Sequence, residues 1–204
     1  MPVLGITGGI ATGKTAFTQA LRQVFPAEYV DADLISRELV QFDPKVRAEI
    51  ARTFGDQICK PDGEVRRDLL RELVFSNHEE RRRLEAILHP RIRERWMNRA
   101  ELFYNGEAWL CVDIPLLYET DAGQHFSRVA VVACAPETQF CRLRENRGLD
   151  ESIAEKMMAA QLDLRTKMNQ ADYLIWNDSS VGSLEAQSSL LARTLRNSFG
   201  PHGG

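Results

Sequence analysis

The run Gly8-Gly9-Ile10-Ala11-Thr12-Gly13-Lys14-Thr15 fits the spacing G-x-x-x-x-G-K-[ST] at every fixed position. Residues of these types in this order bind phosphate. The glycines let the backbone turn its N–H groups inward as an anion nest, and a helix starting near Gly13 aims the positive end of its dipole at the same point. Lys14 supplies a mobile cation for the β- and γ-phosphates of a nucleotide. The Thr15 hydroxyl is placed to ligate a magnesium ion bridging them. A Gly-rich turn with an incidental lysine would not explain the context, which is an apolar run from Val3 to Ile6 before the loop and an amphipathic helix pattern after it.

Carboxylates at two further places are candidates for the rest of a phosphoryl-transfer site. The segment Tyr29-Val30-Asp31-Ala32-Asp33 sets two of them at the end of a predicted strand, where alternation would point both the same way. Ligands of doubly wound sheets bind outside the carboxyl ends of the strands, so Asp31 and Asp33 are expected to face the transferring group, and one can accept a hydroxyl proton. Asp33 is also a natural cap for a helix starting at Leu34. Trp109-Leu110-Cys111-Val112-Asp113 is four apolar residues closed by an aspartate, the pattern of a carboxylate that organises magnesium. Ile114-Pro115-Leu116-Leu117-Tyr118-Glu119 then adds a rigid turn and another carboxylate beside the same sheet edge.

These residues need a frame. Strands are predicted at Val3 to Thr7, Tyr29 to Asp31, Ala108 to Asp113, Arg128 to Ala135 and Tyr173 to Asn177, separated by helix-like stretches. Continuous apolar runs such as Val129-Ala130-Val131-Val132-Ala133 suit strands covered on both faces, so the fold class is α/β, a three-layer parallel sheet with helices on both sides. From Leu34 to Tyr104 no strand is predicted, and Leu69, Leu70, Leu73, Val74, Leu84, Ile87 and Leu88 recur at helical spacing, giving a helical insertion. The polar stretch from Pro136 to Met168 carries Arg142, Arg144, Arg147, Arg165 and Lys167 and is expected to form a mobile lid. The tail from Pro201 to Gly204 is expected to fray.

Length and composition remove other classes. A chain of 204 residues with 44% hydrophobic content fits one domain with insertions, and a net charge of −3 argues against a dedicated nucleic-acid binder. No apolar run approaches the ~20 residues of a membrane span, so neither a signal peptide nor a membrane partner is expected. Cys59, Cys111, Cys134 and Cys141 show no C-x-x-C pair and read as cytoplasmic thiols rather than as a disulfide framework or a zinc site. N-K-x-D and D-x-x-G are absent from the sequence, which argues against a guanine-nucleotide switch, and so are H-R-D and D-F-G, which excludes a protein kinase.

Taken together, Gly5-Ile6-Thr7-Gly8-Gly9-Ile10, Asp31-Ala32-Asp33, Leu84-Glu85-Ala86-Ile87-Leu88-His89-Pro90, Asp113-Ile114-Pro115-Leu116-Leu117 and Ala171-Asp172-Tyr173-Leu174-Ile175 resemble the dephospho-CoA kinases, a family of nucleoside monophosphate kinase-like P-loop enzymes. The resemblance spans almost the whole chain. It implies ATP-dependent phosphorylation of the ribose 3′-hydroxyl of dephospho-CoA, the last step of coenzyme A synthesis, with Mg²⁺ as cofactor. Another small-molecule kinase of the same type would share the loop, metal and lid and differ at the acceptor.

By the same resemblance, residues 1–33, 105–135 and 170–204 form the nucleotide-binding core, 34–104 the CoA-binding region and 136–169 the lid. ATP is expected to meet Gly9, Ile10, Ala11, Thr12, Gly13, Lys14, Thr15, Arg142, Arg147 and Asn177. The acceptor is expected to meet Asp31, Asp33, Arg67, His89, Pro115, Leu116 and Leu117. Asp33 orients or deprotonates the 3′-hydroxyl, Lys14 and Arg142 meet the transferring phosphoryl group, and Thr15 and Asp113 hold the metal. A monomer or small homo-oligomer is expected.

Three positions depart from the family pattern. Ala11 stands where glycine is common, which is tolerable if the backbone there is ordinary. Arg66 replaces an aspartate ahead of Arg67, and Arg147 stands one place after the usual arginine.

Overall fold

Five strands pair side by side because each offers apolar residues to both of its faces. They are β1 (Val3–Gly8), β2 (Ala27–Asp31), β3 (Trp109–Asp113), β4 (Arg128–Ala133) and β5 (Tyr173–Trp176), in the order β2-β3-β1-β4-β5. The structure, a computed structural model, describes residues 2–102 and 109–198. β1 lies at the centre, parallel to β3 with Leu4 opposite Cys111, and parallel to β4 with Gly5 opposite Val129. β4 pairs in parallel with β5. The strand from Arg128 is shorter than expected at its far end because Pro136 begins a helix there. Ala108, Tyr104 and the tail from Pro201 to Gly204 lie outside the described residues.

The two faces of the sheet enter different cores, as the period of two requires. Leu4, Ile6, Cys111, Ala130 and Val132 pack with Phe17 and Leu21 of α1 (Lys14–Val24) and with Leu184, Leu191, Ala192 and Leu195 of α9 (Val181–Ser198). Val129, Val131 and Ala133 point the other way, onto Leu117, Ala122 and the Leu164 and Met168 side chains of α8 (Leu164–Gln170). This confirms the three-layer α/β core. α6 (Pro136–Arg147) and α7 (Glu151–Ala159) fill the predicted lid segment. All four cysteines are free, and burial pushes the Cys111 and Cys134 thiols up to about 12 and about 11, so both stay protonated and inert.

The chain divides into two compact units, Met1–Val30 with Ala100–Gly204, and Asp31–Arg99. The second unit carries α2 (Ala32–Phe42), α3 (Pro44–Phe54), α4 (Arg67–Ser76) and most of α5 (His78–Leu102). Its local logic is capping. Asp43 ends α2 and caps α3, accepting from the Lys45 and Val46 amides at 2.9 and 3.1 Å, with Pro44 at the first helical position. Pro90 sits inside α5, and next to it Arg91 donates to the Ile87 carbonyl and to Glu49 of α3, each at 2.5 Å. After Asp31, the last residue of β2, the β-structure in this unit's described residues is one isolated bridge between Cys59 and Val65.

Gly5 shows how tightly the second core is built. A Cβ there would lie 2.6 Å from Leu117 Cδ1 and 3.0 Å from Phe126 Cγ, and Leu117 has 0% exposure and no room to retreat. Gly5→Ala is therefore expected to cost about 1–3 kcal/mol through overpacking. Urea unfolding that left the midpoint unchanged would show that this core gives way more easily than its burial implies.

Candidate active site

α1 begins without a side-chain cap. Its N-cap, Gly13, has φ 89° and ψ 24°, a left-handed conformation that glycine takes at no steric expense, and the Asn177 side-chain amide fills the place where a Cβ would stand. The uncapped helix start and the loop before it are what an anion site requires. The other half of that requirement concerns the carbonyls, which must be turned away and satisfied. Each carbonyl from Gly8 to Gly13 accepts a hydrogen bond.

Four of these six carbonyls take donors from distant parts of the chain. Lys167 reaches the Gly8 carbonyl at 3.3 Å, and the Gln139 side chain reaches that of Ile10 at 2.6 Å. Arg142 Nη1 donates to the carbonyls of Ala11 and Thr12 at 3.3 and 3.2 Å, and Asn177 Nδ2 also meets Thr12 at 2.8 Å. The Thr12 hydroxyl closes the Gly9 carbonyl at 2.9 Å, and the Phe17 amide closes that of Gly13 at 3.1 Å. Gln161 accepts from the Ile10 amide at 2.7 Å. Motif reading missed Gln139, Gln161 and Lys167 as loop contacts, because no local spacing marks a side chain that acts on a loop more than a hundred residues away.

Ala11 has φ 59°, also left-handed. The backbone there is not ordinary, so the condition under which alanine would be harmless at this position fails. An L-residue in this region is strained by about 1–2 kcal/mol.

Lys14 and Asp113 meet directly. The Lys14 ammonium donates to Asp113 Oδ1, and Thr18 Oγ1 lies 3.2 Å from Oδ2. Asp113 ends β3 and Lys14 begins α1, so parallel pairing of β1 with β3 brings the two motifs together. Thr15, exposed and next to Lys14, adds an oxygen donor. Among the described residues no cluster of three or more His, Cys, Asp or Glu side chains forms a ready metal cage. The donors present, one carboxylate and hydroxyls, are all oxygen, which suits a magnesium ion that keeps waters and takes its remaining ligands from phosphates.

Arg142 and Asn177 are brought to the loop, Arg142 also donating to the Asn177 carbonyl at 2.8 Å, and Asn177 is buried. Arg147 is exposed in the last turn of α6. Pro115 and Leu116 follow Asp113, and the Pro115 carbonyl accepts from the Thr7 hydroxyl at 3.0 Å. Leu117 must be corrected: with 0% exposure in the second core, it offers no surface to a ligand.

The remaining predicted residues belong to the second unit. The strand ends at Asp31, and Asp33 lies in the first turn of α2, so alternation does not govern the pair. Asp31, not Asp33, is the cap, and its Oδ1 accepts from the Asp33 and Leu34 amides at 2.8 and 3.1 Å. Arg67, the first residue of α4, lines an open groove of about 1170 Å³ with Lys60, Arg66 and Arg71. Arg66 thus adds positive charge beside Arg67. His89 is half-buried, and burial holds its imidazole below the ordinary 6.5.

Replacing Ala11 by glycine would relieve the strain while adding about 0.4–1 kcal/mol of unfolded-chain freedom, for a net gain of up to about 1.6 kcal/mol. Urea denaturation of Ala11→Gly is expected to show a midpoint at or above that of the parent, and a lower midpoint would contradict the strain.

Known proteins resemble the chain over nearly its full length. The family model for dephospho-CoA kinase (CoaE) matches residues 2–183. A dephospho-CoA kinase of Bacillus thuringiensis subsp. konkukian is 36% identical over 186 residues, covering 91% of this chain and 92% of that protein. A solved structure from Thermus thermophilus superposes with a TM-score of 0.78 at 26% identity, covering 94% of this chain and 97% of that one. A dephospho-CoA kinase structure from Campylobacter jejuni has a TM-score of 0.72 at 23% identity, covering 96% and 97%, and shows the shared fold. With its glycine loop, the Lys14–Asp113 pair and a family match over nearly its full length, the chain belongs to the dephospho-CoA kinase family.

Proposed function

We propose that this protein transfers the γ-phosphoryl group of ATP to the ribose 3′-hydroxyl of dephospho-CoA, giving coenzyme A and ADP. The observation that carries the reading is the glycine loop with all its carbonyls from Gly8 to Gly13 engaged on the scaffold side, next to a lysine–aspartate pair. Family membership supplies the acceptor.

The proposed roles follow from charge and position. The loop backbone from Gly9 to Thr15 cradles the phosphates with the amides not already engaged by Gln161, which holds Ile10, and by the Gly9 carbonyl, which holds Thr12. Phosphate competes for Lys14, which exchanges one anion for another and releases the Asp113 carboxylate. Thr15 and Asp113 would hold Mg²⁺, which when bound neutralises charge on the phosphate oxygens. Arg142 and Arg147 are the proposed cations of the lid, 136–169, and Asn177 fixes the loop on which Arg142 rests. Asp33 accepts the proton of the 3′-hydroxyl. Its neighbour Asp31 caps α2. Arg67 lines a groove of mixed charge, with Lys60, Arg66 and Arg71 beside Asp62, Glu64 and Asp68 and with Lys60 paired to Glu64, and His89, Pro115 and Leu116 complete the proposed acceptor contacts. A cytoplasmic setting fits the free thiols.

The purified protein, given Mg-ATP and dephospho-CoA beside AMP, CMP, shikimate and gluconate as rival acceptors, is expected to release ADP only with dephospho-CoA. Asp33→Asn should lower kcat by about 10²–10⁴ with the fold intact, the contribution typical of a positioned base. ADP release with another acceptor alone would move the activity to a different small-molecule kinase. Arg142→Ala should lower kcat by on the order of 10³, the scale of a cation on a transferring phosphoryl group. A variant in which only the KM for ATP changed would remove Arg142 from that role.

A further inference from the structure

α8 carries a lysine whose charge does not reach water. The Lys167 side chain has 0% exposure, and its ammonium meets Glu119 Oε1 at 2.6 Å, the Gly8 carbonyl at 3.3 Å and the Pro115 carbonyl at 3.4 Å. An ammonium has three protons to donate, and here there are three acceptors. Glu119 Oε1 also accepts from the Leu162 amide at 3.0 Å, and the Thr7 hydroxyl donates to the same Pro115 carbonyl at 3.0 Å. One polar cluster therefore joins the end of β1, the turn after β3 and the start of α8.

Taking a lysine out of water is expensive even beside a partly exposed carboxylate, and a well-packed apolar side chain of similar volume is often as stabilising or more so. Filling space does not explain this residue. What an apolar side chain lacks is the ability to grip two backbone carbonyls at once, and the two gripped here have specific positions. Gly8 opens the phosphate loop that leads to Lys14 and Thr15, and Pro115 stands two residues beyond Asp113. β1 and β3 are already neighbours in the sheet, with Ile6 opposite Asp113. The β1–β3 ladder ends with the Ile114 amide donating to the Ile6 carbonyl at 2.9 Å; beyond it Gly8 stays paired with β4, and Lys167 joins the Thr7 hydroxyl in tying β1 to the turn after β3.

We propose that Lys167 is a positioning residue, holding the glycine loop and the Asp113 turn at a fixed separation so that Lys14, Thr15 and Asp113 present one aligned site to phosphate and magnesium. The proposal rests on the kinase reading above for its effect on turnover, but its effect on metal-linked nucleotide binding stands apart from the acceptor. Misplacement by about 1 Å is worth roughly 10² in rate in phosphoryl-transfer geometry, so a group that sets this separation is felt without touching substrate.

The test is Lys167→Met, measured well below its own melting temperature. Calorimetric ADP binding with and without Mg²⁺ gives the metal coupling, and steady-state kinetics with dephospho-CoA gives kcat and KM. The coupling is expected to shrink by about tenfold and kcat to fall by about 10- to 100-fold, with the KM for dephospho-CoA within about threefold. In an Asp113→Asn background the same substitution should change the coupling by less than about twofold, because the lysine acts through that turn. A folded Lys167→Met protein with native coupling and native kcat would overturn the proposal, and so would an undiminished effect in the Asp113→Asn background. If Lys167→Met fails to fold, Glu119→Gln loosens the same ammonium: a coupling reduced a few-fold supports the proposal, and an unchanged one overturns it. A parent protein that makes no CoA while Lys167→Met still loses metal coupling would sink the kinase reading and leave this inference standing.

Discussion

A backbone that offers its N–H groups to an anion must do something with its carbonyls. The peptide unit carries both groups on opposite edges, so a nest of donors facing a ligand forces a fan of acceptors toward the protein, and a buried carbonyl without a donor is destabilising. In this protein the fan is closed by Lys167, Thr12, Gln139, Arg142, Asn177 and the first turn of α1. Two of those donors are cations, and hydrogen bonds from charged groups are the stronger kind. The other features of the active-site region follow from the need to bring these donors to one short loop.

That need explains the traffic between segments far apart in sequence. Asn177 lies just past β5 and reaches the loop because β5 lies beside β4, and β4 beside β1. Gln139 and Arg142 sit on adjacent turns of α6, which starts at Pro136 straight after β4 ends. The parallel sheet delivers each of these elements to the carboxyl ends of the strands, the usual location of ligand sites in such folds. Strain is accepted in the same place. Ala11 holds a left-handed backbone that a glycine would hold freely, and the contacts of its own carbonyl and of its neighbours keep it there.

The Lys14–Asp113 pair is the electrostatic counterpart. A lone ammonium beside a nest of N–H donors would be repelled by the same field that attracts phosphate, and a lone carboxylate at the neighbouring strand end would lack a counter-charge. Pairing satisfies both, and under the proposed function it leaves an exchangeable contact where an incoming anion and its metal would take one partner each.

The sequence alone determined what is local or periodic. The glycine loop and its lysine were legible because phosphate binding demands those residue types within one turn of chain, and the inner strands β1, β3 and β4 were legible because burial on both faces demands unbroken apolar runs, whereas the half-buried edge strands β2 and β5 showed only short apolar stretches. The helical character of the segment after Asp33 was visible in its period. Tertiary structure decided what depends on direction and distance. Asp31 and Asp33 looked like a strand pair, but the chain turns helical at Ala32 and Asp31 becomes the cap of α2. Leu117 looked like an acceptor contact, but Gly5 leaves it a place inside the core. Lys167 looked like one more charge in a polar stretch, but folding buries it against two carbonyls and a carboxylate. Propensity and spacing act over a few residues, whereas a side chain's partner is set by which segments the sheet places side by side.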